Sequence, residues 1–415
     1  MKAYVVGAGL AGLGAATALC QAGMEVEVSE AAAQAGGRCR SYFDQQIGLM
    51  IDNGNHLVLS GNRAVHAYLA RIGARNRLTG PMETEFPFVD LATGEHWTVR
   101  PNPGRLPWWT LSADRGVPGA GFGDYVRMAG LLRAKAGRRV DQTIACRGPV
   151  WDRLMRPFLL AALNLDPETG AAVLAREVIR ETLAKGGAAY TPQIPSPGLA
   201  AAFVEPAIDF LVRHGATVRM RRRLLRLRVE GDRICSLEFS DGAVDLARDD
   251  HVVLAVPPWD AAELLPGLTV PDEFEGIVNG HFRVRPPAGA PLITGLLNST
   301  VEWIFAFDDR IAVTVSAANR IIGEPREALA RRLWAEVAQA LALPTGLPPW
   351  QIVKEKRATF AATVEQQQRR PPARTALRQL VLAGDWTATG LPATIEGALR
   401  SGAKAAQIVQ HESRL

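Results

Sequence analysis

The chain has only four cysteines, and Cys20, Cys39, Cys146 and Cys235 lie far apart. No CxxC pair and no Cys/His spacing of the zinc-binding kind occurs, which argues against a structural zinc and a disulfide framework. A reduced, cytoplasmic protein without bound metal is therefore expected. Low-complexity tracts are also missing. Charge of one sign is scarce in excess, since 47 basic residues face 42 acidic ones and leave a net charge of +5. That balance gives little reason to expect nucleic acid as a partner, while it remains compatible with an anionic cofactor or membrane surface. The longest stretch without charged side chains, Ala3 to Met24, follows Lys2. Glycines at positions 7, 9, 12 and 14 interrupt it where a strand would turn into a helix, so neither a secretion signal nor a membrane anchor is expected there.

At 415 residues the chain exceeds the size at which one hydrophobic core stops growing. Hydrophobic residues make up 47% and charged residues 21%, as in an ordinary globular protein. Two closely connected domains are expected.

The N-terminus reads as a βαβ unit. Lys2 to Val6 has the pattern of a short buried strand, Gly7-Ala8-Gly9-Leu10-Ala11-Gly12 that of a turn, and Leu13 to Ala22 that of a small-residue helix ended by Gly23. Glu25 to Ser29 then forms a second strand. In such a unit Gly7 permits the tight turn, Gly9 removes the side chain that would block a pyrophosphate, and Gly12 lets helix and strand approach. The amides of Leu10 and Ala11 at the positive helix end favour phosphate. Glu30, eighteen residues after Gly12, stands where a carboxylate accepts hydrogen bonds from ribose hydroxyls. Strand, glycines, helix, strand and acid in this order point to a bound dinucleotide.

Gln34-Ala35-Gly36-Gly37-Arg38 follows directly. This GG-R segment resembles the flavoprotein family that includes amine oxidases, protoporphyrinogen oxidase and phytoene desaturases. The resemblance implies that the dinucleotide is FAD, that Gly37 approaches its pyrophosphate and that Arg38 stabilises it. It also implies an α/β fold, with a Rossmann-like FAD-binding domain of the GR2 type and an interleaved α+β substrate domain. Two distant segments fit the same family. Around Leu224 to Val229 and Ile234 to Phe239, strands separated by Gly231-Asp232 and Asp241-Gly242 turns lead to a buried strand from His251; the resemblance places the backbone near Leu224 against the adenine. Near the C-terminus, Leu380 to Thr387 with Thr394-Ile395-Glu396-Gly397 reads as a strand, an acidic turn and a final helix to about Gln410. There the resemblance gives Gly384 and Asp385 to the ribityl chain, and Thr394 and Ile395 to the flavin ring. Residues 1–80, 200–270 and 350–415 are thus expected to form the FAD-binding domain, and 81–199 with 271–349 the substrate domain.

Asp52-Asn53-Gly54-Asn55-His56, combined with Ala383 to Thr387 and Leu391 to Ala398, is similar to the hydroxysqualene dehydroxylase family. This resemblance implies reductive removal of an allylic hydroxyl from an isoprenoid lipid, with hydride from reduced FAD. It brings Gly54 and Asn55 near the flavin and makes His56, a residue that titrates near neutrality, the candidate proton donor. Gly390-Leu391-Pro392-Ala393 lacks the aromatic residues an amine oxidase would place before the last helix. No second GxGxxG is present, so an external donor such as NADPH would reach the flavin without its own domain. Trp97, Trp108, Trp109 and Trp151, and a helix carrying Met128, Leu131, Leu132, Arg133, Lys135, Arg138 and Arg139, suggest a membrane-facing segment near 97–140 and a peripheral position on the inner face of an anionic membrane. Two alternatives stay open: a phytoene-type desaturase with the opposite electron flow, and a non-catalytic prenyl-lipid escort protein.

Overall fold

A computed structural model describes residues 1–413. Its first sheet has five parallel strands in the order Thr217–Arg219, Glu25–Ser29, Lys2–Val6, His251–Leu254 and Leu380–Leu382. Tyr4-Val5-Val6, Val252-Val253-Leu254 and the edge run Leu380-Val381-Leu382 are buried, as expected of a parallel sheet covered on both faces. The helix Leu10–Gln21 crosses from the first strand to the second and lies against the final helix, Ile395–Glu412. Glycine permits that contact. A Cβ on Gly402 would sit 2.2 Å from the carbonyl oxygen of Ala11, and one on Gly14 would sit 3.1 Å from Leu399. The two ends of the chain therefore share one core.

A ribbon of three antiparallel strands, Leu224–Glu230, Arg233–Phe239 and Gly242–Asp245, turns at the two expected Asp/Gly pairs. A separate seven-stranded sheet runs in the order Trp350–Phe360, Phe274–Phe282, Ile311–Val315, Trp303–Ala306, Ile293–Leu297, Phe86–Asp90 and His96–Val99. Its strands alternate between two faces. Val278, Phe282 and Val313 pack on the helix Arg326–Ala340, whereas Phe86, Phe88, Trp303 and Phe305 form an aromatic cluster on the other face.

Two details differ from expectation. Trp350–Phe360, placed above in the FAD-binding domain, pairs along its length with Phe274–Phe282 in the second sheet. The helix expected to carry Arg133, Lys135, Arg138 and Arg139 ends at Ala129, and only a short 3₁₀ turn, Gly130–Arg133, follows it. The chain leaves helical geometry at Ala134 and Gly137 follows at φ +75°, so Arg133 is exposed at the end of the 3₁₀ turn and Lys135, Arg138 and Arg139 lie on exposed irregular chain. Met128 and Leu131 do face the core. Among the described residues, no helix is long and apolar enough to cross a membrane.

Candidate active site

The glycine turn has the form of a cradle. Gly7 adopts φ +106°, and a Cβ there would lie 2.5 Å from the Ala255 carbonyl oxygen. A Cβ on Gly12 would come within 1.9 Å of the Gly7 oxygen. Nothing lies within 4 Å of the Cβ position on Gly9, so its missing side chain leaves open space rather than a packed contact. Gly9 caps the helix from Leu10 without a side-chain hydrogen bond, which leaves the first-turn amides of Leu10 and Ala11 available to an anion. Glu30 is fixed beside them, accepting hydrogen bonds from the amides of Ala8 at 2.7 Å and Ala32 at 2.8 Å. Gly36 and Gly37 take φ +108° and +57°, left-handed conformations that favour glycine, and Gly37 faces Gly9.

Arg38 extends from this loop to the far end of the chain. Its guanidinium meets Asp385 Oδ2 at 2.6 Å and also donates to the Ala358 carbonyl. Asp385 is buried, and two contacts hold its turn: Gly384 N donates to Ser401 Oγ at 2.9 Å, and Arg370 donates to the carbonyls of Asp385 and Thr387. Burial lowers the Arg370 pKa to about 10, with Asp385 opposing the shift. Thr394 caps the final helix by accepting from Gly397 N at 3.0 Å, so Ile395 opens the helix beside this turn. Leu224 is buried at the start of the ribbon; two residues earlier, Arg222 N donates to the Glu30 carbonyl at 2.8 Å, which carries the ribbon past the acid.

Asn53 to His56 lies between these elements and the second sheet. Asn55 Nδ2 contacts Asn279 Oδ1 at 3.3 Å and donates to Thr314 Oγ1 at 3.2 Å, while Asn53 Nδ2 donates to Glu355 at 3.1 Å. A Cβ on Gly54 would sit 3.3 Å from Asn279 Nδ2 and 3.6 Å from His56 Nε2. The buried Oδ1 of Asn55 has no partner among the described residues, an unusual state for a buried acceptor. His56 does not titrate near neutrality: burial, helped by the charge of Arg38, lowers its pKa from 6.5 to about 4. Its imidazole is neutral at physiological pH.

Gly7, Gly9, Leu10, Ala11, Gly12, Glu30, Gly37, Arg38, Gly384, Asp385, Thr394 and Ile395 thus come together along one route at the ends of the parallel strands. Gly54, Asn55 and His56 stand where that route meets the second sheet. Asn279, Thr314 and Glu355 carry no recognisable motif and join the site only through pairing in the second sheet, and Arg370 joins it from the irregular chain after the helix Val364–Gln368.

A small cavity of about 20 Å³ lies on the aromatic face of the seven-stranded sheet. Phe86, Phe88, Trp109, Phe158, Tyr190 and Trp303 line it together with aliphatic residues and Pro101, and no charged side chain lines it. A glycine cradle at the ends of a parallel sheet, facing a second, mixed sheet across Asn53 to His56, defines a two-part flavin-dependent oxidoreductase.

The comparisons agree. The model of the flavin containing amine oxidoreductases matches residues 10–410, and the chain belongs to that family. It is 50% identical to hydroxysqualene dehydroxylase of Rhodopseudomonas palustris over 98% of this chain and 97% of that protein. It is also 50% identical to the enzyme of the same name from Sinorhizobium fredii, over 99% and 98%. In fold it resembles a solved oxidoreductase from Methanosarcina mazei, with a TM-score of 0.73 and 14% identity over 98% of this chain and all of that one. The chain is an FAD-dependent oxidoreductase acting on a small molecule.

Proposed function

We propose that the protein is a hydroxysqualene dehydroxylase, converting an allylic isoprenoid alcohol to the hydrocarbon and water. Two relatives, each 50% identical over nearly the whole chain, carry the substrate class. The small aromatic cavity on the second sheet is lined without any charged side chain, so it offers no counter-ion to an amine or amino acid. The names of the near-full-length relatives support the same substrate.

Gly9, the amides of Leu10 and Ala11, Gly37 and Arg38 would hold the pyrophosphate of FAD; Glu30 would hold the ribose, and Asp385 the ribityl chain. Leu224, Gly384, Gly54, Asn55, Thr394 and Ile395 complete that set. Bound and reduced, FAD supplies hydride. The protein's own share would be to orient the alcohol and to keep bulk water from the allylic cation left when the hydroxyl departs as water, the hydride and the proton being the two hydrogens that reduced FAD gives up. Neutral His56 contributes a hydrogen-bonding position beside Gly54 rather than a store of protons. The reading divides the chain into an FAD-binding part, residues 1–80, 200–270 and from 361 onward, and a substrate part that includes Trp350–Phe360.

Two finer elements belong to the same proposal. NADPH is the external reductant. The protein rests on an anionic membrane through Leu106, Trp108, Leu111, Phe122, Val126 and Leu132, all exposed, with Arg105, Arg127, Arg133 and Lys135 exposed among them. The turn Trp108–Leu111 touches the helix Phe122–Ala129, with Trp109 edge-on to Tyr125 at 5.2 Å, so these side chains share one region.

Anaerobic mixing of photoreduced holoenzyme with hydroxysqualene tests the reading. Squalene and oxidised flavin are expected. Reduced flavin with unconsumed alcohol would overturn it, and desaturation of a polyene by the oxidised enzyme would favour the opposite electron flow.

A further inference from the structure

Leu183 lines the aromatic cavity, and two residues further on Lys185 lines a different one. This cavity, of about 540 Å³, is bounded by Arg63, Ala64, Arg180, Glu181, Lys185, Glu396 and Arg400. Four cations face two carboxylates, and the carboxylates are already engaged. Glu396 is buried and accepts from the amides of Ala64 at 3.1 Å and Val65 at 3.0 Å, closing the start of the helix Arg63–Arg71, while Arg400 reaches it at 3.3 Å. Glu181 is shared among Lys185, Arg400 at 3.7 Å and Arg180 at 4.0 Å. Despite burial, which raises a carboxyl pKa, these neighbours hold that of Glu181 below its ordinary value. Arg63 makes no ion pair among the described residues. Arg180 is also paired with Glu177 at 2.8 Å, so the charge that the surroundings leave unneutralised rests chiefly on Arg63, which is exposed, beside a volume that accommodates the anionic part of a nucleotide or lipid.

We propose that this cavity binds a diphosphate group. Arg63, Arg180 and Arg400 supply forked donors suited to phosphate oxygens, and Lys185 adds a point charge. Glu396 directly follows Ile395, so the occupant would sit at the opening turn of the helix that closes the flavin site. Two kinds of molecule carry such a group: a pyridine nucleotide that reduces the flavin, and an isoprenoid diphosphate. The inference does not depend on hydroxysqualene being the substrate.

Titration calorimetry of the holoenzyme with inorganic pyrophosphate provides the test. Saturable binding that weakens at least roughly tenfold in Arg63→Ala, and further in Arg63→Ala/Arg180→Ala, is expected, with flavin absorbance and thermal midpoint unchanged. NADPH and farnesyl diphosphate are then used as competitors. Displacement by NADPH, with slower flavin reduction in the variants, identifies the nucleotide; displacement by farnesyl diphosphate alone identifies the lipid. Absent binding, affinity indifferent to both substitutions, or displacement by neither competitor would overturn the proposal. Arg63→Lys, which keeps the charge, should retain most of the affinity and guards against an effect of misfolding.

Discussion

Arg38 and Asp385 are 347 positions apart in the chain and meet at 2.6 Å. One belongs to the loop that follows the first βα turn, the other to the turn before the last helix. Their contact joins two ends of the molecule at the place where FAD is expected to bind, and charge-assisted hydrogen bonds of this type are worth about 1.5–3 kcal/mol. Arg38→Ala should therefore purify with little flavin and bind added FAD at least roughly tenfold more weakly in a fluorescence-quenching titration. Undiminished affinity would remove Arg38 from the cofactor site.

Gly9 and Gly12 should separate binding from folding. A methyl group at Gly12 collides with the Gly7 carbonyl, whereas one at Gly9 meets nothing of the protein. Gly12→Ala should lower stability by about 1–3 kcal/mol or prevent folding. Gly9→Ala should leave the melting temperature of the flavin-free protein intact and abolish FAD retention. A Gly9→Ala variant that keeps its flavin would contradict the cradle geometry.

His56 is neutral at physiological pH, so a neutral hydrogen-bonding side chain should replace it. His56→Gln is expected to keep dehydroxylation within about threefold of the parent, a change below 1 kcal/mol in barrier, and His56→Ala to lose more. A loss of a hundredfold or more in both, with FAD bound, would restore His56 as proton donor.

Glu302 provides a pH test of stability. Burial raises its pKa from 4.5 to about 8, against the opposing pull of Ser316 N and Arg320. The folded protein thus holds a proton that the unfolded chain has released, and stability from this group falls as pH rises between about 4.5 and 8. Glu302→Gln should flatten that decline, gaining on the order of a few kcal/mol above pH 8 and little near pH 5 in urea denaturation. Parallel curves for the two proteins would show that Glu302 is not held protonated.

Trp108 is 63% exposed beside the buried Trp109. Trp108→Glu with Leu111→Glu should weaken co-sedimentation with anionic vesicles several-fold without altering flavin content, since neither side chain supports the core. Equal sedimentation would place the membrane contact elsewhere.

Local signals were readable wherever neighbouring residues alone decide conformation. The first two strands, the glycine turn, the ribbon turns at Gly231 and Gly242, the strand from Leu380 and the final helix all follow from short-range patterning and from positive φ at glycine. The basic stretch after Met128 misled for the same reason: its composition suited a helix, but the chain turns extended at Ala134 and left-handed at Gly137. Trp350–Phe360 could not be assigned to a sheet from its own residues, because membership depends on the partner strand Phe274–Phe282.

By itself, the sequence determined the glycine-rich βα turn and the acid after the second strand, and with them the expectation of a dinucleotide, since a tight βα turn constrains the backbone within a few residues. Only the tertiary structure decided the company those residues keep. Asn279 and Thr314 reach Asn55, Arg370 locks the Asp385 turn, and aromatic residues from several strands and helices enclose one dry cavity. Burial then holds His56 neutral. Each of these depends on the packing of segments far apart in the chain, and desolvation, which sets the charge state of His56, exists only once that packing is complete.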